Sequence, residues 1–246
     1  ELEKLAEAHE LEMIGDKNFT DNEAKAMSNY RSAALAFQNL NYIVESARCF
    51  ENKCKDYKYA AVLYEKLSNW GKVASCYEKL ESYLLAINFY WKDYDLDNAL
   101  RISRVNHQYI TILNELRNCN EQELVKFHIN SNQRDNLVND TIRRGIIYFG
   151  SKFKRDKLFY LINQCTVAND KRRYMEKYQF YEQLVEFEIS QNNYDKAAKA
   201  YCLLKDFHNA SLNYEKSNLL FESIQCGIVS IRQKGINSDH IIALDA

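Results

Sequence analysis

Proline is missing from this 246-residue sequence, and glycine occurs only 6 times. At an average usage near 5%, roughly 12 prolines would be expected. Proline breaks helix interiors, so its absence suits a chain made almost wholly of short helices joined by turns of two or three residues. An excess of charge of one sign is lacking too: 33 Lys and Arg face 34 Asp and Glu, a formal net charge of −1. That excludes a chain-wide electrostatic glove for nucleic acid or anionic membrane. There is no long apolar run; the most apolar stretch, Tyr83–Trp91, is too short and too polar to span a bilayer. The seven cysteines (49, 54, 76, 119, 165, 202, 226) form no paired framework. They sit inside apolar helical patterns, where a reduced thiol behaves as a small hydrophobe. An intracellular setting, cytoplasmic or nuclear, is therefore expected. The chain begins at Glu1 rather than Met, as a piece of a longer protein would.

What the sequence does have is a repeat. A small residue followed four positions later by an aromatic recurs at Ala33/Phe37, Ser46/Phe50, Ala60/Tyr64, Val73/Tyr77 and Ala86/Tyr90, the aromatics standing 13, 14, 13 and 13 residues apart. A second aromatic precedes each small residue: Tyr30, Tyr42, Tyr57, Trp70 and Tyr83. The pattern returns as Tyr194/Ala197/Tyr201 and Phe207/Ala210/Tyr214, again with period 13. Aromatic, small and aromatic at i, i+3 and i+7 share one face of a helix. The small residue lets a neighbouring helix approach, and the rings fill the space above and below it. Before most upstream aromatics stands a residue able to cap a helix N-terminus: Asn41, Asp56, Asn69, Ser82, Asn193, Asp206. Each unit thus reads as one helix of about ten residues, roughly 15 Å long, plus a tight turn. A continuous long helix is disfavoured, because thirteen residues at about 100° each bring the face back some 140° out of register.

The expected fold is all-α: an α-solenoid of short, stacked antiparallel helices, tetratricopeptide-like, each hairpin needing its neighbours to close a core. Over 1–246 we read one helical body, with a first repeat array at 1–105, irregular longer helices at 106–175 and a second array at 176–246. The repeat core comprises Ala33, Phe37, Phe50, Tyr57, Ala60, Tyr64, Trp70, Tyr77, Tyr83, Ala86, Tyr90, Tyr194, Ala197, Tyr201, Phe207, Ala210 and Tyr214. Longer helices are expected over Glu1–Ile14 and Glu23–Leu40, and around Ile142, Ile146, Phe149 and Phe153.

Three stretches carry the order of elements: ESARCFENKCKDYKYAAVLYEKL, then the basic RRGIIYFGSKFKRDKLFYL, then YEQLVEFEISQNNYDKAAKAYCLLKDFHNASLNYEKSNLLFES. The units resemble tetratricopeptide-like helices. Their order is similar to the helical region that follows the motor in helicase-like proteins of the tetratricopeptide-and-ankyrin-repeat-containing type. That resemblance implies a nucleotide-driven motor elsewhere in a parent protein; none of its motifs lie here. Vesicle-coat and intraflagellar-transport scaffolds use similar A-x3-Y units.

No catalytic constellation emerges, so no enzyme, cofactor or metal is expected. Gly145-IIYF-Gly150-Ser151-Lys152 has the glycine spacing of a phosphate-binding loop, but Ser and Lys are in the wrong order and no buried strand precedes it. The five histidines are scattered, with no HExxH and no zinc spacing. One local feature stands out: between 134 and 177 there are eleven Lys or Arg (134, 143, 144, 152, 154, 155, 157, 171, 172, 173, 177) against five acids. Tyr148, Phe149, Phe153, Phe159 and Tyr160 are interleaved, a mix that suits single-stranded nucleic acid. The candidate patch is Arg143, Arg144, Lys152, Lys154, Arg155 and Lys157. The plainer reading, favoured here, makes Phe149 and Phe153 core residues at i and i+4 with the charges as their solvated flank. The expected function is a non-catalytic scaffold that engages a protein partner or other domains of its own chain. Arg31, Lys58, Lys72 and Arg101 are candidate exposed contacts.

Overall fold

The computed structural model describes residues 2–233, and among them every regular element is a helix. Two long helices open the chain, α1 (Leu2–Asn18) and α2 (Glu23–Asn39). A run of ten-residue helices follows: α3 (Ile43–Asn52), α4 (Tyr57–Lys66), α5 (Trp70–Lys79), α6 (Tyr83–Lys92), α7 (Leu96–Val105) and α8 (Tyr109–Asn118). After the short α9 (Glu121–Lys126) comes the longest, α10 (Ser131–Ser151), and then α11 (Arg155–Asn163). The ten-residue rhythm resumes in α12 (Ala168–Lys177), α13 (Tyr181–Ser190), α14 (Tyr194–Leu203) and α15 (Phe207–Lys216), and α16 (Leu220–Gln233) closes it. The chain divides into two compact units, Glu1–Tyr148 and Phe149–Ala246, the boundary falling within α10. Within the first, consecutive helices from α1 to α8 pack side by side, and within the second those from α11 to α16 do. Each unit is thus a stack of sequence neighbours, an α-solenoid arrangement.

The period of 13 has a backbone cause. From α4 to α7 and from α12 to α14, each ten-residue helix is followed by a C-cap, a residue with positive φ and an N-cap, as in Leu67, Ser68 (φ 54) and Asn69. The Ser68 N–H donates to the Glu65 carbonyl and the Asn69 N–H to the Tyr64 carbonyl. This is a Schellman ending, which satisfies carbonyls the helix leaves open. The same pair of bonds recurs at Glu81/Ser82, Tyr94/Asp95, Asn192/Asn193, Lys205/Asp206 and Asn218/Leu219. Twelve non-glycine residues hold positive φ among those described, from Asn41 to Asn218. Left-handed backbone costs an ordinary residue about 1–2 kcal/mol and glycine almost nothing. We therefore expect Ser68→Gly and Glu81→Gly each to stabilise the protein by about 0.5–1 kcal/mol after glycine's unfolded-state entropy is deducted. Chemical denaturation reads this directly; a loss of stability in both would contradict the turn geometry.

The turn also corrects part of the capping scheme. Asp56, Asn69 and Asp206 accept the N–H of Tyr59, Lys72 and Asn209, as expected. Ser82 and Asn193 occupy N-cap positions without a side-chain cap bond. Asn41 is one residue out: it supplies the left-handed turn (φ 65), and Tyr42 is the N-cap of α3. Asn tolerates that backbone better than most residues.

Packing follows the small–aromatic pattern. Ala33, Phe37, Phe50, Ala60, Tyr64, Ala86, Tyr90, Ala197, Ala210 and Tyr214 are buried. The helix-leading rings Tyr57, Trp70, Tyr83, Tyr194 and Phe207 are half-buried, as are Tyr77 and Tyr201. Ala60→Leu or Ala86→Leu is expected to overpack a helix crossing at a cost of about 1–3 kcal/mol. Gly15 makes a sharper case, because a Cβ there would stand 2.5 Å from the Tyr30 ring. That ring is buried and its hydroxyl is tied to Asp16 at 2.8 Å, so it cannot swing away. Helix propensity alone favours Gly→Ala by about 1 kcal/mol. Gly15→Ala is nevertheless expected to lower the melting temperature by several degrees, the clash exceeding the propensity gain.

Candidate functional site

The basic stretch 134–177 is divided between the two units. Arg143 and Arg144 lie on the part of α10 that belongs to the first unit, and both reach back to Asp140, at 2.8 and 2.6 Å. Arg104 from α7 joins them at 3.4 Å. Burial pushes the Asp140 carboxyl up, but hydrogen bonds from Arg143 and Arg144 outweigh it and hold the group below the usual carboxylate range. Arg134 pairs with Asp135 and Arg173 with Asp170. Half-buried Arg172 meets the buried Glu188, whose carboxylate also accepts from Asn193 Nδ2 at 2.9 Å. Five of the eleven cations are therefore matched to carboxylates.

Four others rest on rings. Arg155 lies over Phe180 at 4.3 Å and Lys157 over Phe149 at 5.6 Å. Lys171 and Lys177 sit over Phe187 and Tyr178, both within the reach of a cation–π contact. Lys152 and Lys154 remain, exposed on either side of Phe153. All six candidate patch residues are solvent-exposed, but the structure separates them by unit. Arg143 and Arg144 fall in the first; Lys152, Lys154, Arg155 and Lys157 fall in the second.

The interleaved aromatics divide as well. Phe149 is buried, and Phe159 packs on Phe180 with centroids 5.2 Å apart. Tyr148 stacks on His107 at 3.7 Å within the first unit. Phe153 overturns its core assignment. Helix α10 ends at Ser151, so the i, i+4 register from Phe149 is broken before it reaches Phe153. Phe153 instead occupies the left-handed turn (φ 54) and is 88% exposed. Gly145 to Ser151, the stretch with phosphate-loop spacing, is the last part of α10, so its backbone N–H groups are spent on the helix.

Three of the four exposed contact candidates hold the repeats together. Arg101 makes a two-pronged contact to Glu78 at 3.0 and 2.9 Å, Lys72 reaches Glu51 at 3.3 Å, and Arg31 reaches Asp56 at 3.0 Å. Lys58 is exposed. The pattern is periodic: a carboxylate on one helix accepts a Tyr hydroxyl from the next and a cation from the one beyond. Asp16, Tyr30 and Lys53 form one such set; Glu51, Tyr64, Lys72 and Lys79 the second; Glu78, Tyr90 and Arg101 the third. Sequence reasoning offered Lys72 and Arg101 as exposed contacts for a partner and did not connect them to these carboxylates. The signal that could have found them is the spacing of 12 to 14 residues between each Tyr and its acid.

All seven cysteines are free thiols. Cys202 and Cys226 face each other at 3.7 Å, and burial pushes the Cys202 thiol up to about 11, away from nucleophilic use at neutral pH. Among the described residues no group of three or more His, Cys, Asp or Glu could hold a metal ion, and no helix is long and apolar enough to cross a membrane. No protein-family model matches the chain, and no curated protein matches it in sequence.

Proposed function

We propose that this chain is a non-catalytic helical-repeat scaffold that engages a helix, from a protein partner or from another domain of its own polypeptide. The observation that carries this reading is the outer face of α16. Phe221, Ile224, Ile228 and Ile231 are 70, 63, 45 and 48% exposed. Their 3-4-3 spacing puts them on one stripe, the seam by which helices pair. A contiguous apolar stripe of this kind marks an interaction site, whereas scattered apolar residues do not. A helix laid in such a seam is a recurring mode of recognition.

The order of repeat, basic stretch and repeat supports placing the scaffold inside a larger, helicase-like protein, where it would bind the motor or a client. A trafficking scaffold of the coat or intraflagellar-transport type is the alternative, and the flanking sequence decides between them: a motor or a β-propeller. The free cysteines support an intracellular setting. The test uses sedimentation and an apolar dye on the wild type and on Ile224→Glu/Ile228→Glu. The wild type is expected to self-associate or bind dye, and the double variant to lose this with its melting temperature unchanged. A variant that unfolds would show that the stripe is interior and sink the proposal.

A further inference from the structure

We infer that the turn between α10 and α11 is a contact site for single-stranded nucleic acid, with Phe153 as the ring on which a base stacks. The first observation is the position of that ring. Other left-handed turn positions carry polar residues such as Lys55, Ser68, Glu81, Gln179 and Lys205. Among the described residues Tyr94 also sets a six-membered ring at such a position, and it packs edge-on against Phe127 with centroids 5.3 Å apart. Phe153 takes the same costly backbone and presents its ring to solvent, 88% exposed. Burial does not account for a phenylalanine there, and the turn would close more easily with glycine.

The second observation is what surrounds it. Lys152, Lys154, Arg155 and Lys157 are all exposed and all belong to the same unit as Phe153. Asp156 is the single acid among them. Arg155 and Lys157 are held by the rings of Phe180 and Phe149, which orders both side chains and leaves N–H donors for a ligand. Tyr160, 39% exposed, follows Lys157 by one helical turn. Rings alternating with cations match a strand that offers bases and phosphates in alternation. A bilayer surface is a poorer fit. The exposed side of α11 carries Asp156, Lys157, Tyr160 and Asn163, where an interfacial helix needs an apolar stripe.

The site is independent of the α16 seam, so each can fail alone. The test is fluorescence anisotropy with labelled oligo(dT) and oligo(U) of about 16 nucleotides, starting near 50 mM salt. Affinity is expected to fall with salt at a log–log slope of about −2 to −3, from four cations at roughly 0.7 each. Phe153→Ala is expected to weaken binding about tenfold, the loss of one stacked base. Phe153→Trp should restore it, and Lys152→Glu/Lys154→Glu should abolish it, with melting curves unchanged throughout. No binding near 50 mM salt overturns the inference, as does equal affinity in Phe153→Ala. Sedimentation with phosphatidylserine vesicles, or capture by polyglutamate, that depends on Phe153 while the oligonucleotides fail to bind assigns the turn to another partner and overturns it equally.

Discussion

Arg172→Met is expected to cost the second unit about 3–5 kcal/mol, the penalty for leaving a buried carboxylate without its cation. Glu188 is fully buried, and its two oxygens are met by Arg172, on one edge through Nε and on the other through Nη2 at 3.0 Å. Asn193 Nδ2 already donates to the same carboxylate and brings no charge to replace the one lost. Against a total stability of about 5–15 kcal/mol for a domain, that loss should appear as a large fall in the urea midpoint. The double variant Arg172→Met/Glu188→Leu should recover most of it, because an apolar pair of similar volume replaces both charges. A single-variant cost under about 1 kcal/mol would mean the pair is solvated, as exposed pairs of that worth are.

The same pair shows why part of the fold was hidden. Glu188 stands at the third residue from the end of α13, its carbonyl closing the turn to Asn193. That is the slot held by Tyr64, Tyr77 and Tyr90 in the first unit, whose carbonyls close the turns to Asn69, Ser82 and Asp95. A search for rings passes over a glutamate there, so α13 was legible only as a resumption of the repeat. Helix α7 lies in the first array without a copy of the motif, and α8 falls in the stretch read as irregular, for a related reason. Their inward positions hold Ala99 and Ser103, then Ile112 and Leu116, apolar or small but not aromatic. Both are ten-residue helices and a three-residue turn joins them, so the backbone period outlasts the side-chain motif that revealed it as far as the end of α8.

The candidate site was legible only in composition. The count of cations over 134–177 was correct, but a linear count cannot tell which arginines meet a carboxylate one helix away. Arg172 and Glu188 are 16 residues apart, and Arg104 and Asp140 are 36. The misplacement of Phe153 has a local cause. Periodicity from Ile142, Ile146 and Phe149 extends to 153 only if the helix does, and the glycine that marks its end, Gly150, lies inside the last turn of α10 and not in the turn itself. Turn signals in this chain come from Asn, Lys, Ser and Glu forced into left-handed backbone, which composition barely marks.

Glu51→Ala is expected to cost the first unit about 3 kcal/mol at neutral pH, since it strands a buried hydroxyl and removes two charge-assisted bonds. Its side chain is almost wholly enclosed, accepting from Tyr64 at 2.9 Å, Lys79 at 2.8 Å and Lys72 at 3.3 Å. Burial pushes the Glu51 carboxyl up, but the bonds from Lys79 and Tyr64 outweigh it, and the group titrates below the usual range. Asp16 is lowered by Lys53 and then Tyr30, and Glu78 by Arg101, with Tyr90 adding to it against burial. A carboxyl whose folded pKa is depressed gives stability that is complete above its unfolded value and is lost as pH falls through the folded one. With unfolded values of about 3.9 for Asp and 4.3 for Glu, the three ties should hold stability flat above about pH 5 and release it below about pH 4. Glu51→Gln keeps the shape and one acceptor but removes the titration, so its stability should start lower and fall less steeply in acid. Each tie bridges a helix to the second helix beyond it, α1 to the end of α3, α3 to α5 and α5 to α7. Acid should therefore loosen successive repeats from one another before it melts any one of them, and hydrogen exchange near pH 4 should show turns between repeats opening ahead of helix interiors. Simultaneous loss of both would mean that the buried rings, and not the carboxylates, set the cooperativity of the stack.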